Sequence, residues 1–352
     1  MNYIENRGRF RTILIGLCIL LVVIMMVAMQ FGPADVTTLD ATRSVFGKVP
    51  FLEGLLQPDQ VEDAHELIIW KIRFPRIVLA ALAGATLAAS GAIYQAIFRN
   101  PMADPYVLGI SSGAALGAAS AIVMGIGATA VGLSGVSVFA FTGAMLASLF
   151  VWTAAGGGRR STPMSLLLSG IALNFLLSAL LSVIMVFNRE QVDKIIFWTM
   201  GSFAAAKWDH VFLLVLPVLV GLVVYRIYAR DLNLMLMGED AARGLGVHVQ
   251  KVRLGLLVLS SLLTAIVVSV CGVIGFVGLI VPHAVRLVSG PDHRTLVPLS
   301  ALGGAMFLVI GDTLARTIAA PAEIPIGAVT ALIGAPYFLF LLQRNRSKMG
   351  RS

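Results

Sequence analysis

The chain has 352 residues, of which 58% are hydrophobic and 12% are charged, and its formal net charge is +8. Soluble globular proteins carry about 25% charged residues, so this composition excludes an ordinary soluble domain and predicts an integral membrane protein in a lipid bilayer. The basic residues stand between apolar runs, which is typical of membrane topology and argues against nucleic acid as a partner.

Ten apolar runs are each typical of a helix that spans a membrane. Arg7, Arg9 and Arg11 precede the first run. Because that run is longer than a signal-peptide core and no small-residue cleavage site follows it, we expect a retained span. The eighth run is short and contains Pro282, so we expect it to lie half-buried among other helices. The predicted spans are 12–31, 72–98, 107–127, 131–155, 163–187, 211–228, 252–272, 275–288, 296–318 and 326–343.

The distribution of charge supports this count. With a cytoplasmic N-terminus and ten crossings, most basic residues but only a third of the acidic ones fall on the cytoplasmic side, as the positive-inside rule requires. We therefore predict an all-α integral membrane fold of about ten transmembrane helices with both termini cytoplasmic, and residues 1–352 as one domain. Residues 32–71 are predicted to form a long extracytoplasmic loop, and 229–251 a cytoplasmic loop with a short helix that ends at its glycines.

The sequence holds no nucleotide-binding or metal-binding motif. It contains no G-x-x-x-x-G-K-[ST] motif, so any ATP dependence must come from a partner. It contains no H-E-x-x-H motif and no Cys/His cluster, so we predict no metal site and no cofactor on this chain. Ionisable residues are scarce near the middle of the spans, although Asp312 and Arg316 lie four residues apart near the outer end of the ninth. An ion-coupled secondary transporter is therefore a remoter alternative.

One short motif resembles that of a serine hydrolase. Gly109-Ile-Ser-Ser-Gly113 matches G-x-S-x-G, and His283 lies near the core of another span. An intramembrane serine protease that uses Ser111 is thus a second alternative. Close helix packing by small residues explains the same letters without further assumptions, so we expect no catalytic residue.

Cationic residues cluster at the outer mouth of the second span, where Lys71, Arg73 and Arg76 lie. Side chains at this depth can extend their charged ends to the interface. Outer arginines nevertheless run against the positive-inside trend, which favours binding of an acidic partner. The residues alone leave both interpretations open.

Several motifs together resemble the FecCD-type permease family. The likeness covers roughly residues 64–345, whereas residues 32–63 are longer than the family's usual outer loop. The motifs are Arg73-Phe-Pro-Arg76, Arg99-Asn-Pro-Met-Ala-Asp-Pro105, Leu108-Gly-Ile-Ser-Ser-Gly-Ala114, Ser169-Gly-Ile-Ala-Leu-Asn174, Trp198-Thr-Met-Gly201, Gly238-Glu-Asp-Ala-Ala-Arg-Gly-Leu-Gly246, Gly275-Phe-Val-Gly-Leu-Ile-Val-Pro-His283 and Glu323-Ile-Pro-Ile-Gly327.

The resemblance implies a function and a set of partners. It implies the inner-membrane permease subunit of a type II ABC importer, which moves a metal chelate by alternating access. Ferric siderophore is the first expectation for the cargo, with cobalamin and haem as alternatives. The implied partners are two ATP-binding-cassette ATPases that hold ATP and Mg, an extracytoplasmic substrate-binding protein, and a second permease subunit in a homodimer.

The resemblance also implies roles for particular residues. Arg73, Arg76 and Arg316 are expected to face acidic residues of the binding protein. Residues 238–249 are expected to form a coupling helix in a cleft of the ATPase, with Gly238, Glu239, Asp240, Ala241, Arg243 and Gly246 as its coupling residues. The translocation path is expected along the fifth and tenth spans and parts of the third and eighth. Residues assigned to the path or to helix packing are Gln95, Asn174, Gly109, Gly113, His283 and Pro325.

Overall fold

The computed structural model describes residues 7–32, 37, 42–44, 63–127, 134–157 and 162–349, with side chains to residue 340. Within these ranges the regular elements are helices. Most of the predicted loop 32–71 lies outside the described residues, as do Arg159 and Arg160. The ten apolar helices are α1 (Arg7–Gln30), α2 (Phe74–Ile97), α3 (Ile110–Val123), α4 (Gly135–Ala154), α5 (Pro163–Phe187), α6 (Trp208–Leu236), α7 (Val249–Cys271), α8 (Val277–Ser289), α9 (His293–Thr317) and α10 (Ile326–Met349).

Each predicted span coincides with one of these helices. Seven of them are long and apolar enough to cross a membrane, whereas α3, α8 and α10 are shorter apolar helices. The helical character is therefore confirmed, and the number of crossings and the sides of the termini stay predictions. The predicted start of the second span is corrected: a helix at Asp63–Ile68 and a π-helical turn at Ile69–Arg73 run directly into α2.

Helix α2 forms the centre of the bundle. In the most apolar 18-residue stretch of the continuous helix Ala64–Ile97, 83% of residues are buried. The corresponding share is 11% in α1 and 11% in α5. Helix α2 packs on α6, α7, α8 and α9, while α3 packs mainly on α4. Helices α1 and α5 therefore lie at the periphery and present their apolar side chains to the outside of the single chain.

Glycines allow α2 to touch its neighbours backbone to backbone. A Cβ added at Gly84 would lie 2.0 Å from the carbonyl oxygen of Gly304 in α9, and one at Gly91 would lie 1.9 Å from that of Gly278 in α8. No side chain fits at those distances. Small residues in membrane bundles serve this close approach, so the predicted role of small residues in packing holds for α2.

A buried set of hydroxyl groups joins α2 to α6 and α7. The Tyr225 hydroxyl lies 3.0 Å from Ser90 Oγ and donates to Ser260 Oγ at 2.7 Å. The Tyr94 hydroxyl lies 2.8 Å from Ser261 Oγ. Because buried polar groups are costly when unpaired, these bonds favour one register of the three helices.

Candidate partner-docking sites

The first site is built from the outer arginines, and it begins with Arg73 on the π-helical turn. Its side chain is 3% exposed. One guanidinium nitrogen, Nη1, donates to the carbonyl oxygens of Met29 at 2.6 Å and Gln30 at 3.2 Å. The last carbonyls of a helix have no partner within the helix. Arg73 therefore closes the C-terminal end of α1 and ties it to the start of α2.

Arg76 forms the strongest charge contact of this site. Its Nε donates to both Asp312 carboxylate oxygens at 2.9 and 3.1 Å, and its Nη2 donates to Oδ1 at 2.9 Å. Its Nη1 donates to Glu323 Oε1 at 2.9 Å. This fork geometry is the most specific that a guanidinium makes with a carboxylate. The contact joins α2 to α9 and to the segment that leads into α10.

Arg316 completes the cluster from α9. Its Nη2 donates to the Ala28 carbonyl oxygen at 2.5 Å, and its Nε lies 3.9 Å from Asp312 Oδ2. The predicted Asp312–Arg316 contact is therefore present, but the principal partner of Asp312 is Arg76. Sequence reasoning missed this pair and Glu323, because residues 236 positions apart in the chain show no common periodicity.

The three arginines of this cluster are buried, and their burial bears on the role in docking that was expected of them. Arg73, Arg76 and Arg316 are 3%, 7% and 4% exposed, so their side chains lie inside the single chain. Helix-end carbonyls and carboxylates of the same chain accept hydrogen bonds from all three, whereas the Nε of Arg316 is buried without a hydrogen-bond partner among the described residues. Their role in docking a binding protein stays a prediction, and it requires that at least one of these internal bonds be exchanged.

The second site is the short helix Glu239–Gly244 between α6 and α7. Gly238 precedes it with a φ of +130° and Gly246 follows it with a φ of +87°, conformations that L side chains rarely adopt. The helix ends at Gly244 and α7 begins at Val249. The expected coupling helix 238–249 is thus shorter than predicted, since the turn at Gly246 separates it from α7.

Ion pairs hold this short helix against α7. Glu239 contacts Arg253 in a short hydrogen bond and lies 3.3 Å from Arg243. The hydrogen bond from Arg253 lowers the pKa of Glu239 below its ordinary value, against a smaller opposing effect of burial. Ala242 is fully buried on the inner face of the helix, whereas the Asp240 side chain is 99% exposed. The helix therefore presents one acidic, solvent-facing edge while its inner face is attached to α7.

Among the residues predicted for the path or for packing, Gln95 and Gly113 lie at helix contacts, and a role in the path stays a prediction. Gln95 is 3% exposed and donates to the Leu279 carbonyl oxygen at 3.0 Å, so it ties α2 to α8. A Cβ at Gly113 would lie 2.4 Å from the Gly143 carbonyl oxygen, which makes it a packing residue between α3 and α4. Gly109 ends a 3-10 turn with a φ of +79°. The Oδ1 of Asn174 is buried and has no partner among the described residues.

Two residues predicted for the path or for packing remain, His283 and Pro325, and the Pro325 carbonyl oxygen accepts from the Ala328 N–H at 3.1 Å. His283 is half-buried in α8 and Pro325 directly precedes α10. Ser111 lies in the first turn of α3, and within the described residues no hydrogen bond joins it to a histidine. The glycines on either side of Ser111 serve helix contacts, which favours packing over hydrolysis. Among the described residues no group of three His, Cys, Asp or Glu side chains is placed to hold a metal ion.

Comparison with known proteins gives consistent relatives. The model of a family described as the FecCD transport family matches residues 19–344. The chain is 47% identical over 283 residues to the cobalamin import system permease protein BtuC of Halobacterium salinarum, covering 80% of this chain and 75% of that protein. It is 44% identical over 283 residues to the hemin transport system permease protein HmuU of Yersinia pestis, covering 80% and 84%.

A solved structure also matches nearly the whole fold. It is described as an inward-facing conformation of a metal-chelate type ABC transporter. The TM-score is 0.81 at 32% sequence identity, and the match covers 95% of this chain and 99% of that one. The arrangement of helices described above is therefore that of a known transporter subunit.

Proposed function

The chain belongs to the FecCD transport family and is an inner-membrane ABC importer permease, and we propose that it carries a tetrapyrrole metal chelate, a corrinoid or haem. The observation that supports this cargo is that two relatives, named for cobalamin and for hemin, cover four-fifths of the chain. Both ligands are tetrapyrrole macrocycles around a metal ion. Ferric siderophore, the first expectation from the sequence, becomes the alternative.

The permease works as one half of a homodimer in this proposal. Helix α5 is largely exposed in the single chain, and Phe175 and Phe187 are 75% and 82% exposed. A second copy packed along α5 and α10 would enclose a path between the two chains. The chain makes no covalent bond with the cargo; it binds the cargo differently in its outward-open and inward-open states.

The energy comes from two partner ATPases, which hold ATP and Mg. The helix Glu239–Gly244 is proposed to dock on them, because its outer edge is exposed while Ala242 and the Glu239–Arg253 pair attach it to α7. A movement of the ATPase is then passed to α7 and to the helices packed on it.

An extracytoplasmic binding protein delivers the cargo to the opposite end. Docking would require an acidic residue of that protein to replace Glu323 on Arg76, because Glu323 is the more exposed of the two partners, at 38% of its side chain against 2% for Asp312. The substitution Glu323→Gln should then strengthen docking at low salt, because it removes the carboxylate charge that competes for Arg76. Docking weakened or unchanged by E323Q would reject this exchange and leave Arg76 a structural residue.

Uptake in proteoliposomes tests the cargo. The permease is reconstituted with its ATPase and binding protein, and uptake of cyanocobalamin, hemin and a ferric hydroxamate is measured with and without ATP. We expect ATP-dependent uptake of a tetrapyrrole. Uptake of the ferric hydroxamate alone would overturn the proposed cargo but leave the assignment as an importer intact. An ATPase variant that lacks its phosphate-binding lysine controls for leakage.

A further inference from the structure

A basic cavity lies beside the short helix Glu239–Gly244, where α4 ends and α7 begins. Its volume is about 590 Å³. Three cationic side chains line it, Arg243, Lys251 and Arg253, together with His248 and the indole of Trp152. Indole rings favour the boundary between lipid and water, so the cavity combines positive charge with the chemistry of a membrane interface.

An apolar groove continues from this cavity along the outside of the bundle. It has a volume of about 470 Å³ and shares Trp152, Leu254 and Leu257 with the basic cavity. Its α4 side runs from Trp152 to Phe141, which is about 16 Å at 1.5 Å per residue. That length is close to half of the roughly 30 Å hydrocarbon core. The groove therefore follows one leaflet from its surface toward its middle.

The charges of the cavity are only partly neutralised by the chain itself. Glu239 is shared between Arg253 and Arg243, and Asp240 lies 3.7 Å from Arg243. The side chain of Lys251 is exposed and forms no hydrogen bond or ion pair with any described residue. The side chain of Arg253 is 9% exposed, and its Nε is buried without a partner among the described residues. A cationic centre and a buried unpaired donor together call for an anionic acceptor.

We propose that this cavity binds an anionic glycerophospholipid. The phosphate lies among Lys251, Arg253 and Arg243, and one acyl chain occupies the apolar groove along α4 and α7. Basic pockets between transmembrane helices bind anionic headgroups in this way. A free phosphate would use the charges but leave the groove unfilled, so the lipid fits both halves. This proposal goes beyond the transport role and requires only that the chain lie in a bilayer.

Lipid retention by the purified chain tests the proposal. The full-length protein is exchanged into nanodiscs of dioleoylphosphatidylcholine that contain a small fraction of dioleoylphosphatidylglycerol, re-purified in detergent, and its retained lipids are measured by native mass spectrometry. We expect phosphatidylglycerol to be enriched over its bulk fraction. Since one basic residue at a membrane surface contributes about 1 kcal/mol, Lys251→Gln should lower that enrichment roughly 5-fold.

Matched variants separate this site from general surface charge. Lys194→Gln removes the same charge from an exposed helix at a different part of the chain and should leave enrichment unchanged. Leu149→Trp should fill the groove, whose lining includes Leu149, and lower retention without a change of charge. Retention of the two lipids in their bulk ratio, or equal loss in K251Q and K194Q, would overturn the proposal. Loss in K251Q with full retention in L149W would assign the cavity to a small anion and also overturn it.

Discussion

The ion pair between Arg76 and Asp312 offers the sharpest test of the structure. Asp312 is 1% exposed and receives three guanidinium contacts of 2.9–3.1 Å from Arg76. The substitution Asp312→Asn keeps the shape but removes the negative charge. Two buried guanidinium groups, those of Arg76 and Arg316, then lose their shared carboxylate. Removing one partner of a buried pair costs about 3–5 kcal/mol, because the remaining charge is left uncompensated.

The assay is unfolding of the purified protein in detergent by guanidinium chloride, followed by tryptophan fluorescence. We expect D312N to lower the free energy of unfolding by that amount. Asp240→Asn is the matched control, since Asp240 lies near Arg243 on a helix but its side chain is 99% exposed. Exposed pairs contribute little, so D240N should give no measurable change. A loss below about 1 kcal/mol in D312N would refute the reasoning, because it is the loss expected of a hydrated, exposed pair.

A double variant checks that the effect belongs to the pair. Arg76→Gln combined with Asp312→Asn removes both members, so the cation at position 76 that loses its Asp312 partner in D312N is also gone. We expect the double variant to lose less stability than the sum of the two single losses. Simple additivity would mean that the two side chains do not interact.

Two further predictions concern the helix contacts. Gly91→Ala places a Cβ 1.9 Å from a backbone oxygen of α8 and should cost at least about 1–3 kcal/mol of stability. Gly255→Ala, in open space within α7, is the control and should be neutral or stabilise by up to about 1 kcal/mol. Equal effects of the two substitutions in denaturant unfolding would contradict the backbone contact. Glu239→Gln should loosen the short helix from Arg253, so that in the reconstituted importer ATP hydrolysis continues while uptake per ATP falls; unchanged uptake per ATP would argue against this attachment.

The sequence predicted the positions of the apolar helices because each run must satisfy its own backbone in lipid. The same reasoning placed small residues such as Gly113 at helix contacts and predicted the short helix near Glu239. It did not find the partners of Arg76, because a hydrogen bond between distant spans leaves no periodic signal in either one. It expected the outer arginines to face acidic residues of a partner, and it lacked any means to see that the carbonyl oxygens at the end of α1 lie within their reach.

The glycine contacts of α2 have a mechanical consequence. Where Gly84 meets Gly304 and Gly91 meets Gly278, no side chain is available to change rotamer and absorb a displacement. A slide of one helix past the other would bring a neighbouring Cβ into a backbone oxygen within a fraction of a turn. Helices α2, α8 and α9 therefore move as a single stiff body. We expect the deformation that a transport cycle demands to fall instead on peripheral helices such as α5, which is as little buried as α1.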